Sequence, residues 1–154
     1  MKTKSIAVLV AACFATLTLC YAQSAHMGTW KLNESKSKLS AGASKNMTVV
    51  YEAAGDDVKV TVDGVDGKGN PTHNEWTGKF DGKDYPSTGD SNYDTRSYKA
   101  VNDRTMEMTL KKDGKTVGKG QITVSANGKS RTVKVDLTDM TGKKMSTTSV
   151  YDKQ

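Results

Sequence analysis

From Met47 to Asp152 the chain alternates apolar and polar residues in short runs, and turn signals punctuate them at nearly regular intervals. The signals fall at Ala54-Gly55-Asp56, Asp66-Gly67-Lys68-Gly69-Asn70, Asp81-Gly82-Lys83, Asn102-Asp103-Arg104, Asp113-Gly114-Lys115, Asn127-Gly128-Lys129 and Thr141-Gly142-Lys143. Asp-Gly and Asn-Gly pairs accept the positive φ angles of tight hairpins, so each signal reverses the chain. Between them, alternate residues fall on one face of a strand. Met47, Val49 and Tyr51 form one such face; Val58, Val60 and Val62 form the next. Trp76, Gly78 and Phe80 share a side, with Gly78 leaving room beside large rings. Met106, Met108 and Leu110, then Ile122 and Val124, then Val133, Val135 and Leu137 continue the pattern, and Met145 to Tyr151 ends it. Gly118 and Gly120 predict a bend or bulge within their strand. The stretch Asp84–Gly89, with Pro86, is expected to be a short edge piece or corner, and the odd spacing of Tyr93 and Tyr98 sends them to opposite faces.

Upstream, Gly28–Leu32 reads as a first strand, Asn33 is placed to cap one helical turn, and residues 23–27 form an unstructured lead. The sum is roughly nine or ten strands in hairpin order with almost no helix. That order predicts an all-β fold, a single antiparallel up-and-down β-barrel of about 8–10 strands, because closure removes the sheet edges. A twisted open sheet and a two-sheet sandwich are the alternatives.

The first residues change the picture. Lys2 and Lys4 precede an apolar run from Ile6 to Leu19, and Cys20-Tyr21-Ala22 ends in residues suited to cleavage. Residues 1–22 are therefore expected to be a signal peptide and residues 23–154 the barrel domain, periplasmic or secreted. Leu17-Thr18-Leu19-Cys20 is close to a lipobox, but Leu19 stands where a small residue is usual, so anchoring at Cys20 is the lesser alternative. Cys13 and Cys20 both fall in the removed segment. Disulfides, thiolate metal sites and cysteine nucleophiles are then excluded together. The formal net charge of +6 drops by two with Lys2 and Lys4, and the remaining lysines are scattered through turns and outward positions. Such dispersion argues against nucleic acid as a partner and fits solvated hairpins. No membrane span is expected beyond the leader.

Gly28-Thr29-Trp30 ahead of a β-meander resembles the G-x-W opening of lipocalins. The wider strings Gly28-Thr29-Trp30-Lys31-Leu32-Asn33, Phe80-Asp81-Gly82-Lys83-Asp84-Tyr85-Pro86 and Val150-Tyr151-Asp152-Lys153 are similar to small exported bacterial proteins of lipocalin-like, calycin type. The resemblance implies that Gly28 and Trp30 are structural, with Trp30 plugging one end of the barrel beneath an arginine. Only Arg96, Arg104 and Arg131 are available and none lies in the last strand, which leaves Arg131 or Lys144 for that place. The second lipocalin signature, T-D-Y, is absent. The resemblance implies a fold rather than a role.

Candidate chemistry is sparse. His26 lies in the lead and His73 beside Asn74 and Glu75, without a nucleophile or ligand pattern around either. Asp90-Ser91-Asn92-Tyr93-Asp94 imitates a calcium loop, but Thr95 replaces its glycine and Val101 its bidentate glutamate. No catalytic residue, metal ligand or cofactor is assigned, and the chain is expected not to be an enzyme. An eight-stranded barrel is wide enough to be filled by side chains or to hold one small ligand. The leading expectation is a binding protein for a small, mainly apolar molecule, with Trp76 and Phe80 stacked on it and Tyr51, Met106 and Met108 completing the wall. The alternative is a filled barrel acting through its loops, Asp81 to Asn92 above all, on an envelope or secreted protein, for example as a hydrolase inhibitor.

Overall fold

A computed structural model describes residues 24–139 and 141–154. The expected leader, with Cys13, Cys20 and the cut after Ala22, lies outside the described residues. Ten strands follow in order: β1 Gly28–Leu32, β2 Lys45–Ala54, β3 Asp57–Val65, β4 Pro71–Gly78, β5 Tyr85–Thr88, β6 Thr95–Asn102, β7 Thr105–Lys112, β8 Lys115–Val124, β9 Ser130–Thr138 and β10 Lys144–Lys153. Each pairs antiparallel with its neighbour in sequence, and β10 returns to β1, so the sheet closes into a barrel. Every strand has two partners, and neither the open-sheet nor the sandwich alternative applies.

The turns work as their residues require. Asp113 and Gly114 both take positive φ, 49° and 76°, joining β7 to β8 through a two-residue reversal of the kind that suits the twist of paired strands. The registers then carry the alternation around the wall. Tyr51 lies opposite Val60, Val60 opposite Trp76, Met106 opposite Ile122, and Ile122 opposite Val133. Directly paired residues share a face, so these rows all point inward.

Four local expectations are corrected. Met47 does not share the face of Val49 and Tyr51: the register slips between Asn46 and Thr48, and the extra residue leaves Met47 36% exposed. Residues Asp84–Gly89 are not an edge, since β5 pairs with both β4 and β6, although each contact is only two residue pairs long. Tyr93 and Tyr98 do not diverge. Tyr93 precedes β6, so strand parity does not govern it, and both hydroxyls reach Arg96. Finally, residues 24–26 are a helical turn rather than an unstructured lead, and His26 is 1% exposed. The bulge foreseen near Gly118 sits at Val117, where the register slips between Leu110 and Lys111.

Asn33 caps the 3₁₀ turn Glu34–Lys36, its side chain accepting from the Lys36 amide at 3.2 Å. The chain beyond runs back along β10, where Lys38 bridges Thr148. This strap continues along the edge of β10 the pairing that β1 begins, bonding the backbones of Thr148 and Val150.

Candidate ligand site in the barrel interior

Antiparallel order puts the helical turn, the start of β1 and the β2–β3, β4–β5, β6–β7 and β8–β9 connections at one end. That end is shut. Trp30 is fully buried and its Nε1 donates to the His26 carbonyl at 2.8 Å. The Arg131 guanidinium lies 4.9 Å from the ring centroids of Trp30, Tyr51 and Tyr151. Arg131, not Lys144, thus stands over the tryptophan; Lys144 begins β10 at the opposite rim. Three ring faces attract the cation and offset part of its desolvation, although its Nε and Nη1 have no hydrogen-bond partner. His26 packs edge-on to Phe80, and neither of its ring nitrogens is hydrogen-bonded. Burial, and then the charges of Arg131 and Lys153, push its imidazole down to about 4, so it is neutral at physiological pH.

Above this plug lies an aromatic layer. Trp76 stacks on Phe80 with centroids 6.4 Å apart, and Tyr98 meets Trp76 edge-on at 4.8 Å and Phe80 at 5.7 Å. Tyr51 touches both Phe80 and Tyr98. A Cβ at Gly78 would lie 2.5 Å from the Tyr85 ring and 2.8 Å from Trp76, so only glycine fits there. Of the residues expected to form a ligand wall, Tyr51, Trp76 and Phe80 come together, but they pack on one another. Met106 is fully buried beneath them, and the tip of Met108 reaches toward β8, 3.2 Å from where a Cβ on Gly120 would be. Gly28, opposite Tyr51, has a positive φ and lies against the Lys153 stem.

The other half of the interior differs. On β9 and β10 the inward rows Val133/Ser149, Val135/Thr147 and Leu137/Met145 are only half-buried. Facing rows on β8 contain Gly118 and Gly120, which supply no side chain. At the rim a cleft of about 400 Å³ is lined by Val117, Gly118, Leu137 and Met145 and, on the outer face of β8, β9 and β10, by Lys119, Asp136, Lys144 and Ser146.

Arg96 lies in this part of the ladder, inward from β6 and opposite Leu110, which is itself opposite Gly118. It is 4% exposed. Nη1 donates to the Tyr98 hydroxyl at 3.1 Å, and Nη2 donates to Asn74 Oδ1 at 2.9 Å and to the Tyr93 hydroxyl. Nε has no partner. The backbone carbonyl of Arg96 accepts from Trp76 Nε1 at 2.8 Å, tying this cluster to the aromatic layer. Among the described residues no Asp or Glu is buried, so neither interior arginine has a carboxylate. Burial pushes the Tyr93 phenol up to about 12, so it stays neutral and cannot supply the missing negative charge.

The cluster of Arg96, Tyr93 and Asn74 carries no sequence motif. Its one usable signal was parity: Arg96 shares the alternation of Tyr98 and Ala100. Outside the barrel, His73 contacts Asp63 at 2.6 Å and Glu75 at 3.6 Å, and Glu75 pairs with Lys59 at 2.7 Å. The hydrogen bond to Asp63 holds the His73 imidazole above its ordinary value, and the group belongs to an exposed cross-strand ladder. Asp90 accepts from the Asn92 amide in a local turn.

No family model and no curated protein matches the chain. Among solved structures it is similar to EF1p2_mFAP2b bound to DFHBI, at 12% identity over 89% of this chain and 100% of that one, with a TM-score of 0.49. It is also similar to a redesigned beta barrel, mFAP1, bound to DFHBI, at 14% identity over 86% and 99% of the two chains, with a TM-score of 0.46. At these identities the likeness concerns shape alone.

Proposed function

We propose that this protein is an exported, non-catalytic, lipocalin-like carrier that holds a small, mainly apolar molecule in the open half of its barrel. One observation carries the reading. Val135, Leu137, Met145 and Thr147 face into a closed barrel, yet they remain half-exposed opposite two glycines. Inward side chains of a filled barrel would be buried, as those of β3 and β7 are. Apolar walls with a few polar groups are what small-molecule sites offer. The site therefore shifts from Trp76 and Phe80, whose faces cover each other, toward Met108, Leu110, Leu137 and Met145. Export is supported by Lys2, Lys4 and the apolar run to Leu19, and the lipocalin-like assignment by Trp30 under Arg131 in a closed meander.

The test is to fill the space. A neutral solvatochromic dye such as Nile red should bind the wild-type protein with a blue-shifted emission, and Thr147→Phe or Val135→Phe should abolish that signal while leaving the thermal midpoint unchanged or raised. Undiminished dye binding by both folded variants would place the dye elsewhere and refute the reading.

A further inference from the structure

We propose that the β7–β10 side of the open rim is a docking surface for a bilayer rich in anionic lipid headgroups. The inference goes beyond the carrier reading and does not depend on it.

The distribution of charge points there first. Residues 45–94, which form β2–β5 and their turns, contain ten acidic and five basic residues. Residues 95–154, which form β6–β10, contain thirteen basic and six acidic ones, and of the thirteen only Arg96 and Arg131 are buried. Because the strands close in sequence order, the two groups stand on opposite walls of the barrel. A modest net charge thus conceals an acidic wall and a basic one. Charge separated in this way orients a molecule in the field of an anionic surface and presents one side to it.

Ion pairing sharpens the contrast. On the acidic wall, Lys45, Lys59 and Lys83 each lie within 4.0 Å of a carboxylate. On the basic wall, Lys112, Lys115, Lys119, Lys134, Lys143 and Lys144 form no ion pair among the described residues. The acids between them are Glu107, Asp113, Asp136 and Asp139. Two of these are engaged elsewhere: Asp136, directly across from Lys119, accepts from the Ser146 hydroxyl, and Asp139 accepts from the backbone amides of Thr141 and Lys143.

Position and polarity narrow the partner to a bilayer. Lys112 and Lys115 flank the β7–β8 turn, Lys143 and Lys144 close the β9–β10 turn, and both turns lie at the open end. Beside them Val117, Leu137 and Met145 are half-exposed along the rim cleft. Lysines around apolar tips match a headgroup layer, in which phosphates meet the ammonium groups and the aliphatic ends reach the acyl boundary. A soluble polyanion offers the phosphates alone. Single-stranded nucleic acid would also need rings to stack on, and the one aromatic residue beyond Tyr98 is Tyr151, which is buried.

The test is co-sedimentation at low salt with vesicles of phosphatidylglycerol and phosphatidylcholine in equal parts, against vesicles of phosphatidylcholine alone. The wild-type protein should bind the mixed vesicles, ignore the neutral ones and be released by about 0.5 M salt. Lys115→Gln, Lys143→Gln and Lys144→Gln combined should weaken binding by about tenfold or more, whereas Lys68→Gln, Lys79→Gln and Lys83→Gln, which remove the same charge from the acidic wall, should change it by less than about twofold. All six lysines are exposed, so both variants should keep the wild-type thermal midpoint. Should the first not fold, Thr116→Glu, at an exposed position beside Lys115, should weaken binding by about threefold or more. No binding to the mixed vesicles, or equal binding to the neutral ones, would overturn the proposal. Equal losses in the two triple variants would trace the attraction to net charge and remove the rim from the role. Soluble polyphosphate bound as tightly as the mixed vesicles would overturn the choice of a bilayer.

Discussion

The two ends of this barrel are built from the same alternating strands but reach opposite states. At the shut end, Trp30, Tyr51, Tyr151, Val124 and Arg131 are buried, and the turn carrying His26 closes over them. At the open end the same β9 and β10 rows continue through Val135, Leu137, Met145 and Thr147 and are left half-covered. The difference lies in side-chain volume. Large rings fill one half, while glycine, threonine and serine leave the other short of atoms. Close packing is thus concentrated at one end of the sheet, and the proposed carrier function draws on the other.

The sharpest way to break this comparison is Trp30→Ala, which should cost about 3–5 kcal/mol in denaturant unfolding, because the ring, its hydrogen bond and the seat of Arg131 go together. A loss below about 1 kcal/mol would mean that the plug holds nothing.

Next comes acid. His26 titrates near 4 in the folded protein and near 6.5 unfolded, so the unfolded chain takes up its proton first as pH falls. Its contribution is present above about pH 6.5 and lost toward pH 4, by at most about 3 kcal/mol. His26→Phe should flatten the pH dependence of unfolding in that window, and an unaltered slope would mean that His26 is solvated.

The smallest effect is a matched pair. Val124→Ala in the shut half should cost about 2 kcal/mol, whereas Val135→Ala in the open half should cost less than about 1. Equal losses measured by urea titration would say that the interior is uniformly packed and that the open half does not exist.

Much of the wall was legible because period-2 alternation and Asp-Gly turns are local signals. The inward rows at Val58–Val62 and Met106–Leu110 required nothing more. Met47 was misplaced because a bulge adds one residue and inverts parity, and Tyr93 because it precedes its strand. The Arg96 cluster was out of reach for another reason. Asn74 and Arg96 are 22 residues apart, and only the pairing of β4, β5 and β6 brings them within 2.9 Å. Which faces of Trp76 and Phe80 are covered depends on rings from other strands, such as Tyr98 and Tyr51, and no local stretch of chain specifies that.

The order of polar and apolar residues, with glycine at the reversals, was sufficient to specify an antiparallel meander and which side of most strands is wet. That follows from backbone geometry, since side chains alternate whatever they meet. Closure of β10 onto β1, the choice of Arg131 for the place above Trp30, and the burial of Arg96 and His26 were decided only in three dimensions. Each depends on the volume and charge that distant strands bring to one interior, and no local stretch of chain records that balance.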